Sequence, residues 1–262
     1  MEIEAYLRGD YTRGIVAQGK RADGRKFDEF RKIEIETGYV GSKAEGSAFV
    51  NLGGTKVLAG VKMDIGTPFP DRPDEGVMTV NSELRPMASP NFELGPPNED
   101  SVELARVVDR GIRESGTIDT KKLSIQTDDG ASKVWVVFVD MHVIDNCGNL
   151  IDAAGIAALS SLLDARMPRF EGGAIVRGEW EGKLPVTCAP VPCTFAKIGS
   201  QLVLDPTIDE EYAMNARLTV TTTDTINAMQ KGGSGTLTED DIKTAVDMAF
   251  KKSEDIRRLI KG

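Results

Sequence analysis

Apolar and polar residues alternate in the first part of the chain, which predicts β-strands. Ile33 and Ile35 lie on one face of a predicted strand, with charged residues between and beside them. Residues 47–52 and 55–63 flank Gly53-Gly54, a pair that suits the positive backbone angles of a two-residue hairpin turn. The pattern therefore predicts three antiparallel strands.

Helical spacing appears further along the chain. A helix is predicted from Asn98 or Ser101 to about Ser115, and a second one from Asp152 to Ala165. The apolar stripe predicted for the first of these helices consists of Val102, Ala105, Val108 and Ile112. Strands are predicted at residues 77–84, 123–126 and 133–144, and residues 1–20 are predicted to form a short helix and a linker. Strands that precede helices indicate an α+β fold with helices on one face of an antiparallel sheet.

The C-terminal part repeats this order. Strands are predicted at residues 184–191, 194–198, 202–204 and 218–223, and a turn at residues 232–235. A C-terminal helix is predicted to open at Thr238 with a capping box in which Asp241 replaces the usual Glu. Two similar α+β halves are therefore expected.

Composition limits the class of protein. The chain has 262 residues, of which 40% are hydrophobic, so it can build one large core or two stacked lobes. It has no apolar run of the ~20 residues that a membrane span needs, and its N-terminus has no signal-peptide core. We therefore expect a soluble, cytoplasmic protein without a membrane partner. The 3 cysteines and the single histidine do not have metal-ligand spacing, so neither a metal site nor a cofactor is predicted.

The formal net charge of −9 argues against attraction of nucleic acid to the whole surface. It leaves room for a local basic patch, because phosphate binding depends on where cations cluster. Arg106, Arg110 and Arg113 fall at positions i, i+4 and i+7 and so share one helix face. The alternative is a solvated face on which these arginines pair with neighbouring carboxylates.

Residues 139–152 have the frame of an anion site. An apolar strand runs through a polar turn with Gly148 into an Ala-rich helix, whose start offers unpaired N–H groups. The side chains of the turn do not suit an anion, because Asp145 and Asp152 repel phosphate, and Leu150 and Ile151 cannot donate a hydrogen bond. The sequence therefore predicts the backbone of a phosphate site without its chemistry.

Several separate motifs resemble those of the RNase PH family and follow one another in the same order. They are Arg21-Ala22-Asp23-Gly24-Arg25, the hairpin at residues 46–58, Glu103-Leu104-Ala105-Arg106, Leu204-Asp205-Pro206-Thr207 and Glu210-Glu211. The resemblance covers about residues 20–260. It implies a two-lobed fold, with a ribosomal protein S5 domain 2-like β-α lobe at residues 21–168 and a smaller C-terminal α/β lobe at residues 184–262.

The resemblance also implies that the phosphate site is degenerate. Active members carry an Asp-Gly-Gly-Thr-Arg-Thr type of turn, and the matching segment here retains Gly148 but has Leu150 and Ile151 at the hydroxyl and guanidinium positions. An Asp of the active members' acid site is replaced by Arg217. No catalytic residue is therefore expected, and within the family the chain is most similar to the non-catalytic RNase PH-like subunits of the archaeal exosome ring.

The same resemblance implies partners. A catalytic RNase PH-like subunit is expected to form a heterodimer with this chain, three heterodimers to form a hexameric ring, and RNA-binding cap subunits to join it. Arg106, Arg110 and Arg113 are expected to bind RNA, together with Arg72 in a Pro-rich loop. Two alternatives stay open: a self-sufficient phosphorolytic exoribonuclease with a rebuilt phosphate site, and a small-molecule kinase of similar fold.

Overall fold

The computed structural model of the protein describes residues 2–125 and 132–261. The helices are α1 (Glu2–Ala17), α2 (Glu99–Glu114), α3 (Leu150–Asp164), α4 (Ile208–Ala213) and α5 (Glu239–Lys261). The strands of the first lobe are β1 (Ile33–Thr37), β2 (Gly46–Leu52), β3 (Thr55–Gly66), β4 (Val77–Leu84), β5 (Ser124–Ile125) and β6 (Lys133–Asp145). The strands that follow are β7 (Arg166–Glu171), β8 (Ala174–Lys183), β9 (Val191–Ile198), β10 (Gln201–Leu204), β11 (Ala216–Thr222) and β12 (Ile226–Gly232).

The first lobe contains a sheet with the strand order β1-β2-β3-β6-β4, and β5 pairs with the start of β6. The predicted hairpin is confirmed: Leu52 faces Thr55 across the turn, and Gly53 has a φ of 59° that favours glycine. The prediction of a purely antiparallel sheet was wrong, because β4 runs parallel to β6. A parallel pair needs a long crossover, and here the connection contains α2.

Helix α3 is the central element of the fold. It packs against β2 and β3 of the first lobe and against β9 of the second. Its residues from Ile151 to Leu162 are all buried. This agrees with a helix whose side chains are mostly small or apolar on every face. The helix begins at Leu150, two residues before the predicted start, so Asp152 lies in its first turn.

Helix α2 follows the predicted span but buries a different stripe. Val102 is 45% exposed and Ala105 only partly buried, so half of the predicted stripe was wrong. The buried residues are Ser101, Leu104, Val107, Val108, Gly111 and Ile112. This stripe is displaced towards α3 and β4, against which the helix packs.

The second lobe contains an antiparallel sheet with the order β10-β9-β11-β12. Helix α5 packs on β9 and β11, and its predicted capping box is confirmed. The N–H of Thr238 donates to Asp241 Oδ2 at 2.9 Å, and the N–H of Asp241 donates to Thr238 Oγ1 at 3.1 Å. Strand β12 was not predicted; the sequence had indicated only the turn that follows it.

The strand predicted at residues 184–191 was wrong. This segment makes one isolated bridge, between Val186 and Ile118, before β9 begins at Val191. Pro185 and Pro190 lack the N–H groups that a strand ladder needs. The hairpin β7–β8, which precedes this segment, was not predicted either. The strand predicted at residues 123–126 is present as β5, and residue 126 lies outside the described residues.

Among the residues that the structure describes, no helix is both long and apolar enough to cross a membrane. In the same part of the chain, no group of three or more His, Cys, Asp or Glu side chains is placed to hold a metal ion.

Candidate functional site

The turn between β6 and α3 is where the two lobes meet. Gly148 has a φ of 92°, and a Cβ there would lie 2.4 Å from the backbone N of Ile208 at the start of α4. The N–H of Ile208 donates to the carbonyl of Cys147 at 3.1 Å. Glycine is therefore required by both the backbone conformation and the close approach of α4.

Asn149 caps the start of α3 in the left-handed conformation, with a φ of 56°. Its backbone N–H donates to Glu211 Oε1 at 2.8 Å, and the N–H of Gly148 donates to Asn146 Oδ1 at 3.0 Å. A helix start is a favourable place for an anion because its N–H groups and dipole point outwards. In this protein the anion next to that helix start is the chain's own Glu211 carboxylate.

The environment of Glu211 disfavours its charge. Burial raises the pKa of Glu211 above its ordinary value, and the Asn149 N–H and the cations Arg217 and Arg31 offset only part of this effect. The nearby carboxylate of Asp205 raises the pKa further. A second anion, such as phosphate, would meet an environment that already carries an unfavourable negative charge.

The positions predicted to be degenerate do come together. Leu150, Ile151 and Arg217 all line one cleft of about 180 Å³ at the start of α3. Ile151 is also 6% exposed and belongs to the hydrophobic core that includes residues of α2, α3 and the first sheet. The aliphatic side chains at this turn therefore have a packing role in addition to lining the cleft.

Arg217 lies on β11 with its side chain 17% exposed. Its Nη2 donates to Glu103 Oε1 at 2.6 Å. A guanidinium keeps its proton at all physiological pH values, so it can stabilise a negative charge but cannot serve as a general acid or base there. The position that resembles an acid site thus holds a cation that is paired with a carboxylate of α2.

Asp205 is the centre of a buried polar network. It has a φ of 51° and is fully buried. Arg31 donates to it through Nε at 2.9 Å, through Nη2 at 2.7 Å and through its backbone N–H at 2.8 Å. Arg25 Nη1 donates at 2.9 Å and Asn149 Nδ2 at 2.7 Å. With its two oxygens taken up in this way, the carboxylate links the N-terminal segment, the start of α3 and the second lobe.

Asp152 extends the same network into the second lobe. Asn149 Nδ2 donates to Oδ2 at 2.8 Å, and Thr194 donates to Oδ2 from its backbone at 2.9 Å and to Oδ1 from its hydroxyl at 2.7 Å. Complete burial raises the pKa of Asp152 to about 7, although these hydrogen bonds lower it. The sequence indicated only that Asp152 would repel phosphate; its contacts show that it joins α3 to β9.

Arg21 and Glu210 form a second link that involves the family-like motifs. Arg21 donates to both carboxylate oxygens of Glu210, at 2.8 Å and 2.7 Å, and both side chains are buried. It also donates to the carbonyls of Leu204 and Asp205. The motifs that carry the resemblance therefore form the polar joint between the N-terminal segment and α4.

The three arginines of α2 that were predicted to bind RNA separate into two groups. Arg106 and Arg110 are exposed beside β12, where Arg110 donates to the side chain of Gln230. Arg113 instead pairs with Asp109 at 2.6 Å and donates to the carbonyl of Met78 on β4 at 2.9 Å. The single arginine face expected from the spacing is thus divided by the different contacts of its side chains.

Arg72 lies in the loop between β3 and β4 and is exposed. Its closest carboxylates are Glu75 at 3.8 Å and Asp71 at 3.9 Å, distances at which exposed ion pairs contribute little. The loop therefore places the Arg72 guanidinium at the surface without a close ion pair that would fix its orientation.

Comparison with known proteins decides the family. Residues 29–168 match domain 1 of the 3′ exoribonuclease family RNase PH, and residues 188–252 match domain 2. The chain belongs to the RNase PH family. The expected two-lobed fold of that family is confirmed, and the family membership removes the reason for considering a small-molecule kinase.

Relatives within the RNase PH family match almost the whole chain. The chain is 49% identical over 266 residues to the exosome complex component Rrp42 of Thermococcus gammatolerans, with coverage of 99% of this chain and 96% of the relative. It is 48% identical over 263 residues to the exosome complex component Rrp42 of Methanocella arvoryzae, with coverage of 100% and 98%. A chain of the Archaeoglobus fulgidus exosome with RNA bound to the active site is 44% identical, with a TM-score of 0.89 and 98% coverage of both chains.

Proposed function

We propose that this chain is the non-catalytic RNase PH-like subunit of an archaeal exosome, which shortens RNA from its 3′ end by phosphorolysis. The meeting of Leu150, Ile151 and Arg217 in one cleft at the start of α3 carries the proposal, because these side chains stand at the positions that resemble the phosphate and acid sites of active members. Relatives named as exosome components along nearly the full chain support the assignment to that complex.

Electrostatics oppose phosphate at this helix start. Two unit charges of the same sign about 5 Å apart repel each other by about 3 kcal/mol at an effective dielectric constant of about 20. The aliphatic side chains of Leu150 and Ile151 supply neither a charge-assisted hydrogen bond nor a cation that could offset this repulsion. We infer that inorganic phosphate does not bind here with useful affinity.

Proton transfer is disfavoured for a separate reason. Arg217 is paired with Glu103, and Asp205 is surrounded by the donors Arg25, Arg31 and Asn149. A guanidinium is a poor general acid or base, and a carboxylate whose oxygens already accept several hydrogen bonds is poorly placed to take part in proton transfer. A homologous catalytic partner would supply the attacking phosphate and the acid–base groups.

The contribution of this subunit to RNA binding would come from exposed arginines. Arg106 and Arg110 are the favoured phosphate-backbone contacts, and Arg72 would add a cation from its exposed loop. Arg113 has a smaller expected share, because Asp109 and the Met78 carbonyl already hold its guanidinium. Three heterodimers would form a hexameric ring in the cytoplasm, with RNA-binding cap subunits attached.

Two measurements test the assembly and the RNA contacts. Native mass measurement of the chain mixed with its catalytic partner should give a trimer of heterodimers, and a failure to associate would contradict the proposal.

In the assembled complex, Arg106→Gln and Arg110→Gln should each reduce the slope of log affinity for RNA against log salt concentration by about one unit. Arg258→Gln, which removes an exposed arginine of α5 that pairs with Glu254, is the matched control and should leave the slope unchanged. Equal slopes for all three variants would exclude these contacts.

A further inference from the structure

The cleft over the start of α3 has walls of two kinds. Its apolar walls come from Leu84, Phe92, Leu104, Leu150 and Ile151. Its acidic wall comes from Asp100, Glu103 and Glu211, and the one cation among the lining residues is Arg217. Because Glu103 is paired with Arg217, the carboxylates of Asp100 and Glu211 leave the cleft with a negative charge.

Asn149 provides an independent sign of a missing donor. The residue is 1% exposed and lines the cleft, and its side-chain Nδ2 donates to Asp152 and Asp205. Its Oδ1 is buried and has no hydrogen-bond partner within the described part of the chain. A buried carbonyl oxygen without a donor is costly, so it indicates a bound group that carries N–H or O–H.

Among the residues that line the cleft, Arg217 also has a buried polar atom without a partner in the described part of the chain, its Nε. It lies 3.3 Å from the position that a Cβ of Gly232 would occupy, so it faces β12. The acceptors available to a ligand in this cleft are therefore Asn149 Oδ1 and the carboxylates, because the Arg217 guanidinium can only donate.

We infer that this cleft binds a primary alkylammonium group, with its methylene chain along the aliphatic wall. The ammonium would donate to Asn149 Oδ1 and to the Glu211 carboxylate, while Asp100 at the exposed rim would add attraction. A bound cation would also offset the cost of burying the charged Glu211 carboxylate. Burial raises the pKa of Glu211 when no such cation is present. The inference goes beyond the proposed function, since it assigns a ligand of opposite charge to a site at which phosphate is excluded.

The ammonium can come from a free diamine or from a lysine of a neighbouring subunit. Calorimetry with 1,4-diaminobutane should detect binding to the chain alone, whereas the uncharged isostere 1,4-butanediol should not bind. Glu211→Gln should weaken binding about tenfold, the effect of losing one charged hydrogen bond. Asp100→Asn, which alters only an exposed side chain, should weaken binding about two- to fivefold by removing one nearby charge. Glu114→Gln at the exposed end of α2 is the matched control and should have no effect.

The outcomes separate the two sources. Binding to both the lone chain and the assembled ring would identify a free amine, whereas binding only to the lone chain would identify a subunit's lysine that fills the cleft on assembly. Failure of the diamine to bind, or binding that neither Glu211→Gln nor Asp100→Asn weakens, would overturn the inference. Inorganic phosphate tested in the same cell addresses the proposed function separately, because its binding would contradict that proposal, whereas loss of diamine binding alone would not.

Discussion

The backbone N–H of Asn149 donates to the carboxylate of Glu211 at 2.8 Å, which joins the start of α3 to the first turn of α4. A helix start of this kind is a favourable place for an anion. Here a side chain from the second lobe occupies it. The same contact therefore helps to hold the lobes together and places a carboxylate at the helix start.

Ionisation of Asp152 should make the protein less stable as pH rises. Burial raises its folded-state pKa from 3.8 to about 7, so its contribution to stability is complete below about pH 3.8 and lost as pH increases through 7. The loss is on the order of 4 kcal/mol at 1.36 kcal/mol per pKa unit. Urea unfolding between pH 5 and 8 should therefore show a downward slope in the free energy of unfolding.

Asp152→Asn should flatten that slope. An amide can keep the oxygen that accepts from Asn149 and Thr194, while its NH₂ donates to the Thr194 hydroxyl. That hydroxyl would then donate to Thr219 Oγ1, which is 2.9 Å away. Asp74→Asn in the exposed loop before β4 is the matched control and should retain the wild-type slope. An unchanged slope in Asp152→Asn would show that another group causes the pH dependence.

Asp205→Asn should be strongly destabilising. The substitution removes the charge that compensates Arg25 and Arg31, whose side chains are each 11% exposed. Breaking a buried ion pair by removing one partner costs about 3–5 kcal/mol. The free energy of unfolding from urea titration should fall by that amount. A comparable loss is not expected for Glu254→Gln, whose exposed pair with Arg258 contributes at most about 1 kcal/mol. Equal effects of the two substitutions would refute the assigned role of Asp205.

Restoring the family's side chains should not restore phosphate binding. Leu150→Thr changes a partly buried residue at the cleft, but Ile151→Arg places a charge at a position that is 6% exposed. We expect the arginine to cost about 3 kcal/mol or more of unfolding free energy. In calorimetry, the double variant should not bind inorganic phosphate, because Glu211 remains at the helix start. Adding Glu211→Gln should give the first detectable binding, and equal affinity with and without that third change would disprove the role of Glu211.

The sequence predicted those parts of the fold that have strong local signals. The Gly53-Gly54 hairpin, the strand–turn–helix around Gly148 and the capping box at Thr238 are all present. Helix α4 was missed because six residues are too few to show a helical period, although Thr207 and Glu210 form a capping box that could have indicated it. The β7–β8 hairpin had a similar unused signal in Gly172-Gly173, both of which have positive φ.

The site was predictable only in part. The resemblance to the RNase PH family indicated that Leu150, Ile151 and Arg217 belong to one degenerate site, and these residues do line one cleft. The role of Glu211 could not be inferred, because it depends on how α4 packs against the start of α3. The predicted lobe boundaries, residues 21–168 and 184–262, stay predictions.

Phosphate-dependent release of nucleoside diphosphates from a single-stranded RNA tests the proposed lack of catalysis most directly. The purified chain alone should release none above background, and adding its catalytic RNase PH-like partner should give strong release. Robust phosphate-dependent release by the chain alone would contradict the proposal and favour a self-sufficient phosphorolytic enzyme.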